Sequence, residues 1–435
     1  MSTGEHDRAH VWHPFTQART DDAAIPIARG EGASLIAEDG RVFLDLISSW
    51  WVNLHGHGHP KIAAAVAEQA KTLEQVIFAG FTHAPAAELA ARIAALLPGD
   101  LARVFFSDDG STSVEVALKL ARQYWVNKGE PNRNRFLAFD GGYHGDTVGA
   151  MSAGASSGFF DPFRPMMFAV ETLPYPATWD GDDAVEAKEA ASLAALDAIL
   201  ADHGADIAAL IVEPLVQGAG GMRMCRPEFL RTLGVRLGAA GVLTIYDEVM
   251  VGFGRTGSLF ACLKAGVTPD FICLSKGLTG GFLAMSLTVA REEIYDAFLA
   301  EDFDKAFSHG HSFTANPLGC AAALASLDLT LAPETETAWA RIEAKHRARL
   351  DGFGRSAKVA RTRVAGTIAA LDFGSTDKGY GSAIGRELKG FFLERGLLLR
   401  PLGNVVYLLP PYCITDAELD RAWDAIEDAA RTIAG

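Results

Sequence analysis

Short apolar runs bounded by polar residues or glycine recur through the middle of the chain: Arg103–Phe106, Arg135–Phe139, Ala208–Val212, Val242–Tyr246 and Phe271–Leu274. Each has the length of a buried strand, and helix-length stretches, notably Val114–Val126 and Leu193–Ala201, separate most of them. That alternation predicts an α/β core: a largely parallel sheet with helices on both faces. Trp179–Ala191, rich in acid and alanine, reads as an exposed loop.

Upstream, Ala33–Ile36 and Val42–Ile47 flank the turn signal Glu38-Asp39-Gly40 and predict paired strands. Helical spacing follows over Ile62–Ala70 and Ala86–Leu97, with Pro85 suited to the second start and Pro98-Gly99 to its stop. After about residue 330 the texture changes. A charged helical stretch (Thr337–Leu350), strand-like runs at Gly366–Phe373 and Asn404–Leu409, a helix near Ile384–Glu394 and an amphipathic helix over Asp416–Ala434 predict a smaller α+β unit. The expected division is a large domain over 61–330 and a small domain over 331–435, to which the N-terminal segment 1–60 also contributes.

Composition narrows the partners. The 435 residues carry 39 Lys+Arg against 54 Asp+Glu, a formal charge of −15, which opposes binding to nucleic acid or anionic lipid. No run approaches the roughly 20 apolar residues of a membrane helix. The five scattered cysteines have neither zinc-like nor redox-motif spacing and read as reduced thiols. A cytoplasmic protein without metal, nucleic-acid or membrane partner is expected.

Three constellations bear chemistry. Ser107-Asp108-Asp109-Gly110-Ser111-Thr112-Ser113 follows a strand and opens a helix, where unsatisfied N–H groups and the helix dipole suit a phosphate; Ser111 or Ser113 as a plain helix cap is the alternative. Asp247 lies at the carboxyl end of Val242–Tyr246, where ligands bind in open α/β sheets. Lys276 follows the next strand, in a crevice where desolvation turns a lysine into an imine-forming nucleophile. A phosphate anchor, an acid for a pyridinium nitrogen and a Schiff-base amine together match the needs of pyridoxal 5'-phosphate.

With these residues in view, the chain resembles the class III, fold-type I pyridoxal-phosphate aminotransferases from about His10 onward. Asp109-Gly110-Ser111, Gly142-Tyr143-His144-Gly145, Glu213-Pro214, Tyr246-Asp247-Glu248-Val249, Gly252-Phe253-Gly254-Arg255-Thr256-Gly257, Ser275-Lys276-Gly277 and Asn316-Pro317-Leu318 carry the likeness in order. Four further strings, His10–Thr16, Ser48–Trp51, Gln217–Met224 and Leu399–Gly403, narrow it to members that aminate 8-amino-7-oxononanoate in biotin synthesis. The resemblance implies that Lys276 binds the cofactor aldehyde, Asp247 pairs with its ring nitrogen, Tyr143 stacks on the ring and Gly110 and Ser111 hold the phosphate. Ser312, or Thr314 two residues on, would reach the phosphate bound by the other subunit of a homodimer.

For the substrate, the resemblance implies that Arg400 grips a carboxylate, while Trp50, Trp51 and Tyr407 line the apolar chain. Adjacent positions on a strand face opposite sides, which leaves one of the two tryptophans open to being core. Phe15 stands where relatives often carry tyrosine; it keeps the ring and loses the hydroxyl. The amino donor is S-adenosylmethionine or lysine. The cofactor motifs do not select a substrate, so another class III aminotransferase acting on ω-amino acids or amines stays open.

Two other patterns point to different chemistry. Gly252–Gly257 satisfies the spacing of a dinucleotide fingerprint, but it lies five residues past its strand, and the following strand ends in Ser275-Lys276 rather than a ribose-binding acid. His55, His57 and His59 alternate, as do His309 and His311, yet Gly56, Gly58 and Pro60 make the first group a loop, and no metal site is expected. Arg255 is open between a site role and a structural one.

Overall fold

The computed structural model describes residues 1–157, 160–353, 359–374 and 382–433. Its central sheet comprises β1 (Leu101–Ser107), β2 (Arg135–Phe139), β3 (Val170–Leu173), β4 (Ile207–Val212), β5 (Leu243–Asp247), β6 (Phe271–Leu274) and β7 (Ser286–Arg291), in the order β1-β7-β6-β5-β4-β2-β3. β7 runs antiparallel to β6 and β1; the other adjacent pairs are parallel.

Continuous apolar sequence in β4, β5 and β6 follows from burial on both faces. Ile211, Ile245, Phe271 and Cys273 pack with helix α1 (Gly110–Asn127) on one side. Leu210, Tyr246, Ile272 and Leu274 face the other side, toward Phe229, Leu230 and Leu233 of the helix Pro227–Ala239. The period-two alternation along each strand therefore separates two core layers.

Register then places the chemistry. Asp247 pairs with Cys273 across β5 and β6, so Lys276 leaves the sheet beside Asp247. Ser107 and Leu274 pair with Ser286 and Leu287 of β7, so β1 delivers α1 to the same edge.

Two of the expected strand pairs lie outside this sheet. Ile27–Glu31, Ser34–Ala37 and Val42–Asp45 pair antiparallel, and Leu397–Leu398 adds in parallel to Val42–Asp45. Val359–Ala365, Ile368–Phe373 and Val405–Leu408 form a second antiparallel sheet. Helices Pro333–Phe353, Ala383–Glu394 and Asp416–Thr432 accompany it; Ala434, the predicted end of the last, lies outside the described residues.

The structure departs from the sequence pattern in three places. Trp179–Ala191 is not one exposed loop: a helix runs Val185–His203, and Glu189 is buried in a two-pronged pair with Arg226 at 2.8 and 2.7 Å. β7 is fully buried except at Arg291 yet contains Ser286 and Thr288; the Thr288 hydroxyl finds its partner in the Ser113 carbonyl at 2.7 Å. β3 is an edge strand, Val-Glu-Thr-Leu, too polar to stand out.

Candidate active site

Two adjoining cavities open at the carboxyl edge of the sheet. The inner one, about 360 Å³, is lined by Gly110, Ser111, Tyr143, Asp247 and Lys276, with His144 and Glu213. The outer one, about 350 Å³, is lined by Phe15, Trp50, Arg400 and Tyr407. Trp51, Val52, Tyr143 and Lys276 belong to both walls. Lys276 is partly buried, and loss of hydration lowers its amine from the ordinary lysine range, opposed by the Asp247 and Glu213 charges. Its backbone is left-handed at φ 46°, a strained conformation of the kind that clusters at functional sites.

Asp247 sits at the end of β5, 5% exposed. One oxygen contacts His144 Nδ1 at 2.8 Å and the other accepts from Val249 N at 3.1 Å, which fixes the plane of the carboxyl group. Its neighbour Glu248 points elsewhere: it accepts from Ala261 N and Cys262 N at 2.6 and 2.7 Å and caps a short helix, and burial pushes its pKa up to about 7.

At the start of α1 the cap is Asp109, which accepts from Thr112 N at 3.0 Å. Ser113 donates to Gly110 O at 2.8 Å, and the Ser111 hydroxyl accepts from Asp146 N at 3.2 Å. Neither serine is the cap, and Gly110 and Ser111 line the inner cavity in the turn whose N–H groups lack intrahelical acceptors. A Cβ on Gly110 would come within 2.7 Å of Val249 Cγ1, so the cradle admits no side chain there.

Glu213, just past β4, is a cavity residue that strand-end logic would also have found. It accepts from Tyr143 N at 2.9 Å and Gly218 N at 2.8 Å. Burial raises its pKa to about 7, with the Asp247 charge adding to the shift and His144 opposing it. Tyr143 stacks on Phe160, ring centroids 6.0 Å apart, and burial raises its phenol above the ordinary range.

Both tryptophans line the outer cavity; Trp50 is exposed, while Trp51 is buried and belongs to the hydrophobic core as well. The reason is local: Ser48–Trp51 is a tight turn rather than a strand, with φ of 52° at Ser48, 60° at Ser49 and 68° at Trp51. Trp51 donates from Nε1 to Tyr407 Oη at 3.0 Å and lies 4.8 Å from Lys276 Nζ. Trp50 carries the Arg400 guanidinium over its face at 5.0 Å and meets the Phe15 ring edge-on at 5.8 Å. Arg400 also donates to Phe15 O at 3.4 Å.

Ser312 and Thr314 line neither cavity. Gln75 Nε2 donates to Ser312 O at 3.0 Å, and the Thr314 hydroxyl donates to His311 O at 2.8 Å. Arg255 is structural: fully buried, it donates to Pro410 O at 2.7 Å and Asn53 O at 3.1 Å, joining distant segments. The alternating histidines diverge, His55 to Ser326 Oγ at 3.1 Å and His57 to Asp45 at 2.9 Å, and among the described residues no group of three or more metal-binding side chains converges.

A desolvated amine and a fixed buried carboxylate share the inner cavity with a helix N-terminus where only glycine fits; this donor set suits a phosphorylated pyridine aldehyde. The aminotransferase class-III family model matches residues 15–430, and the chain belongs to that family, whose members use pyridoxal 5'-phosphate. It is 57% identical over 96% of its length, and 98% of the relative's, to the adenosylmethionine-8-amino-7-oxononanoate aminotransferase of Synechococcus elongatus. A crystal structure of the protein of that name from Methanocaldococcus jannaschii superposes with a TM-score of 0.90 at 33% identity, covering 98% of each chain. An amine transaminase from an uncultivated Pseudomonas species, solved in its PLP-bound form, superposes at 0.91 with 33% identity over 98% of this chain and 99% of that one. Among the described residues no helix is long and apolar enough to cross a membrane.

Proposed function

We propose that the chain transfers an amino group to 8-amino-7-oxononanoate, giving 7,8-diaminononanoate in biotin synthesis, with S-adenosylmethionine as donor. The observation that carries this reading is the outer cavity: a guanidinium, Arg400, and the aromatic wall Trp50 and Trp51 share one chamber with Lys276. An acid whose reacting ketone sits on a long apolar chain needs that combination, because a planar fork takes a carboxylate through two hydrogen bonds while flat rings cover methylenes. The name of the Synechococcus relative supports both substrates.

Lys276 would hold the cofactor through its amine, Asp247 at the ring nitrogen, Tyr143 along the ring and Gly110 and Ser111 at the phosphate. When bound, pyridoxal phosphate supplies the electron sink that makes a proton on the amine-bearing carbon removable. Once the donor's amine has taken its place, Lys276 Nζ, uncharged more readily because it is desolvated, would take that proton and return it. Asp247, held by His144 and Val249 N, keeps negative charge where the cationic ring needs it. Arg400 orients the acceptor, with Phe15 and Tyr407 completing its wall. The donor leaves as a ketone before the acceptor enters, so a ping-pong rate law is expected.

The working unit is a homodimer in the cytoplasm, with Ser312 or Thr314 reaching the partner's phosphate site. Ile77, Phe81 and Phe313 are exposed at 64, 62 and 60%, and Gln75 ties the first of these segments to Ser312, an apolar surface of the kind that subunits cover. All five cysteines are free thiols, which suits a reducing compartment. The same reading divides the chain at 60 and 330, supported by the pairing of Leu397–Leu398 with Val42–Asp45.

A second reading, a class III aminotransferase of ω-amino acids or amines, is favoured by the likeness to the amine transaminase. Assay of the purified holoprotein with 8-amino-7-oxononanoate, comparing S-adenosylmethionine with lysine, separates the readings. Diaminononanoate formed with S-adenosylmethionine supports the first; lysine as the better donor revises the donor alone. No product with either, alongside turnover of a simple amine, overturns the first in favour of the second.

A further inference from the structure

We propose that Asp45, His57 and Asn53 form a hydrogen-bond relay that positions the Trp50 and Trp51 wall and thereby sets affinity for the acceptor chain; this rests on the outer cavity being the acceptor site. Asp45 ends the strand Val42–Asp45 and is wholly buried. Its Oδ1 accepts from Ile47 N at 3.2 Å, and its Oδ2 accepts from Ser49 N at 2.7 Å and Ser49 Oγ at 3.2 Å. These bonds hold the turn in a conformation it would not otherwise keep. Ser49, at φ 60° and ψ −87°, occupies a γ-turn region that is strained for any residue with a Cβ. Both tryptophans project into the cavity because of that turn.

The polarity of the relay is fixed from its far end. Gly56 N donates to Asn53 Oδ1 at 2.8 Å, so Asn53 presents its NH2 to His57 Nδ1 at 3.0 Å. Nδ1 is therefore the acceptor, and Nε2–H donates to Asp45 Oδ2 at 2.9 Å. His57 has little freedom: its backbone N donates to Gly32 O at 2.7 Å, and a Cβ on Gly30 would come within 2.5 Å of its own Cβ. The N-terminal sheet thus braces His57, His57 braces Asp45, and Asp45 braces the aromatic wall.

The relay predicts a rescue that volume or general packing does not. In Asp45→Asn the new NH2 meets a donor in either orientation, Ile47 N at one oxygen position or Ser49 N and His57 Nε2 together at the other. In His57→Gln the amide can still donate to Asp45 and accept from Asn53, whereas His57→Leu fills similar space and does neither. Calorimetric binding of nonanoate to each holoenzyme reads the wall without turnover, and the KM for 8-amino-7-oxononanoate reads it in the reaction. Asp45→Asn and His57→Leu are each expected to weaken nonanoate binding and raise KM by about tenfold, a loss of about 1.4 kcal/mol, with a smaller change in kcat; His57→Gln recovers most of both. Should Asp45→Asn fail to fold, the two His57 variants decide, since that side chain is not fully buried. His57→Gln keeps an amide donor for Asp45 and an acceptor for Asn53 and stays near the wild type, whereas His57→Leu loses about as much as Asp45→Asn.

Unchanged affinity in Asp45→Asn, His57→Leu equal to His57→Gln, or a wild type that takes no nonanoate would each overturn the relay. A wild type that binds nonanoate and passes the rescue test, yet does not turn over 8-amino-7-oxononanoate, leaves the relay standing and removes the substrate assignment instead.

Discussion

His144 Nδ1 lies 2.8 Å from Asp247 Oδ2, with both side chains almost wholly buried. The pair gives the aspartate one orientation before any ligand arrives. Asp247→Asn preserves the shape and removes the charge, so kcat is expected to fall by about 10² to 10³, the range typical of losing one preorganised electrostatic contact. Stopped-flow half-reactions with S-adenosylmethionine would measure it, and a fall below tenfold would contradict the role given to Asp247.

Lys276→Ala removes both the anchoring amine and the proton carrier. The donor half-reaction should slow by at least about 10⁴, the upper range for a single general acid–base group. Borohydride reduction of the wild-type holoprotein followed by peptide mapping should label Lys276, and the variant should take up no label.

Arg400→Lys keeps the charge and loses the planar fork. Its KM for the carboxylate acceptor should rise roughly 10- to 100-fold, the equivalent of about 1.5–3 kcal/mol for a hydrogen bond to a charged group, with a smaller effect on kcat. Comparison with a ketone lacking the carboxylate checks the assignment, because that substrate should be indifferent to the change.

Glu213 makes stability depend on pH. Its folded pKa, about 7, stands above the ordinary 4.5, so the folded chain binds the proton more tightly than the unfolded one. The contribution is fully present below 4.5 and is lost as pH rises through about 7. In thermal melts of the apoprotein, the wild type should lose Tm relative to Glu213→Gln across that window, and parallel curves would refute the shift.

Much of this site was legible in the chain because it is built at strand ends. Asp247 and Lys276 follow continuous apolar runs, and Gly110 and Ser111 sit between a strand and a helix; such neighbours in sequence need only the sheet to become neighbours in space. Glu213 follows β4 by the same rule, so its motif was visible while its cavity position was not assigned. The Trp50 and Trp51 turn was beyond reach, since its left-handed residues are serine and tryptophan rather than the glycine or asparagine that signal such a backbone. Contacts such as Asp45 with His57 depend on the closure of a loop with no periodicity to mark it. The strands β3 and β7 escaped for a different reason, one being a polar edge and the other burying Ser286 and Thr288, of which Thr288 finds a backbone acceptor.

The shared wall of Trp51, Val52, Tyr143 and Lys276 has a consequence for selective inhibition. A compound confined to the inner chamber meets groups that any enzyme with the same vitamin-derived helper must carry, and would poison them indiscriminately. One that anchors on Arg400 and lies along Trp50, sending only a small warhead past Trp51 toward the lysine, would draw its discrimination from the outer chamber instead.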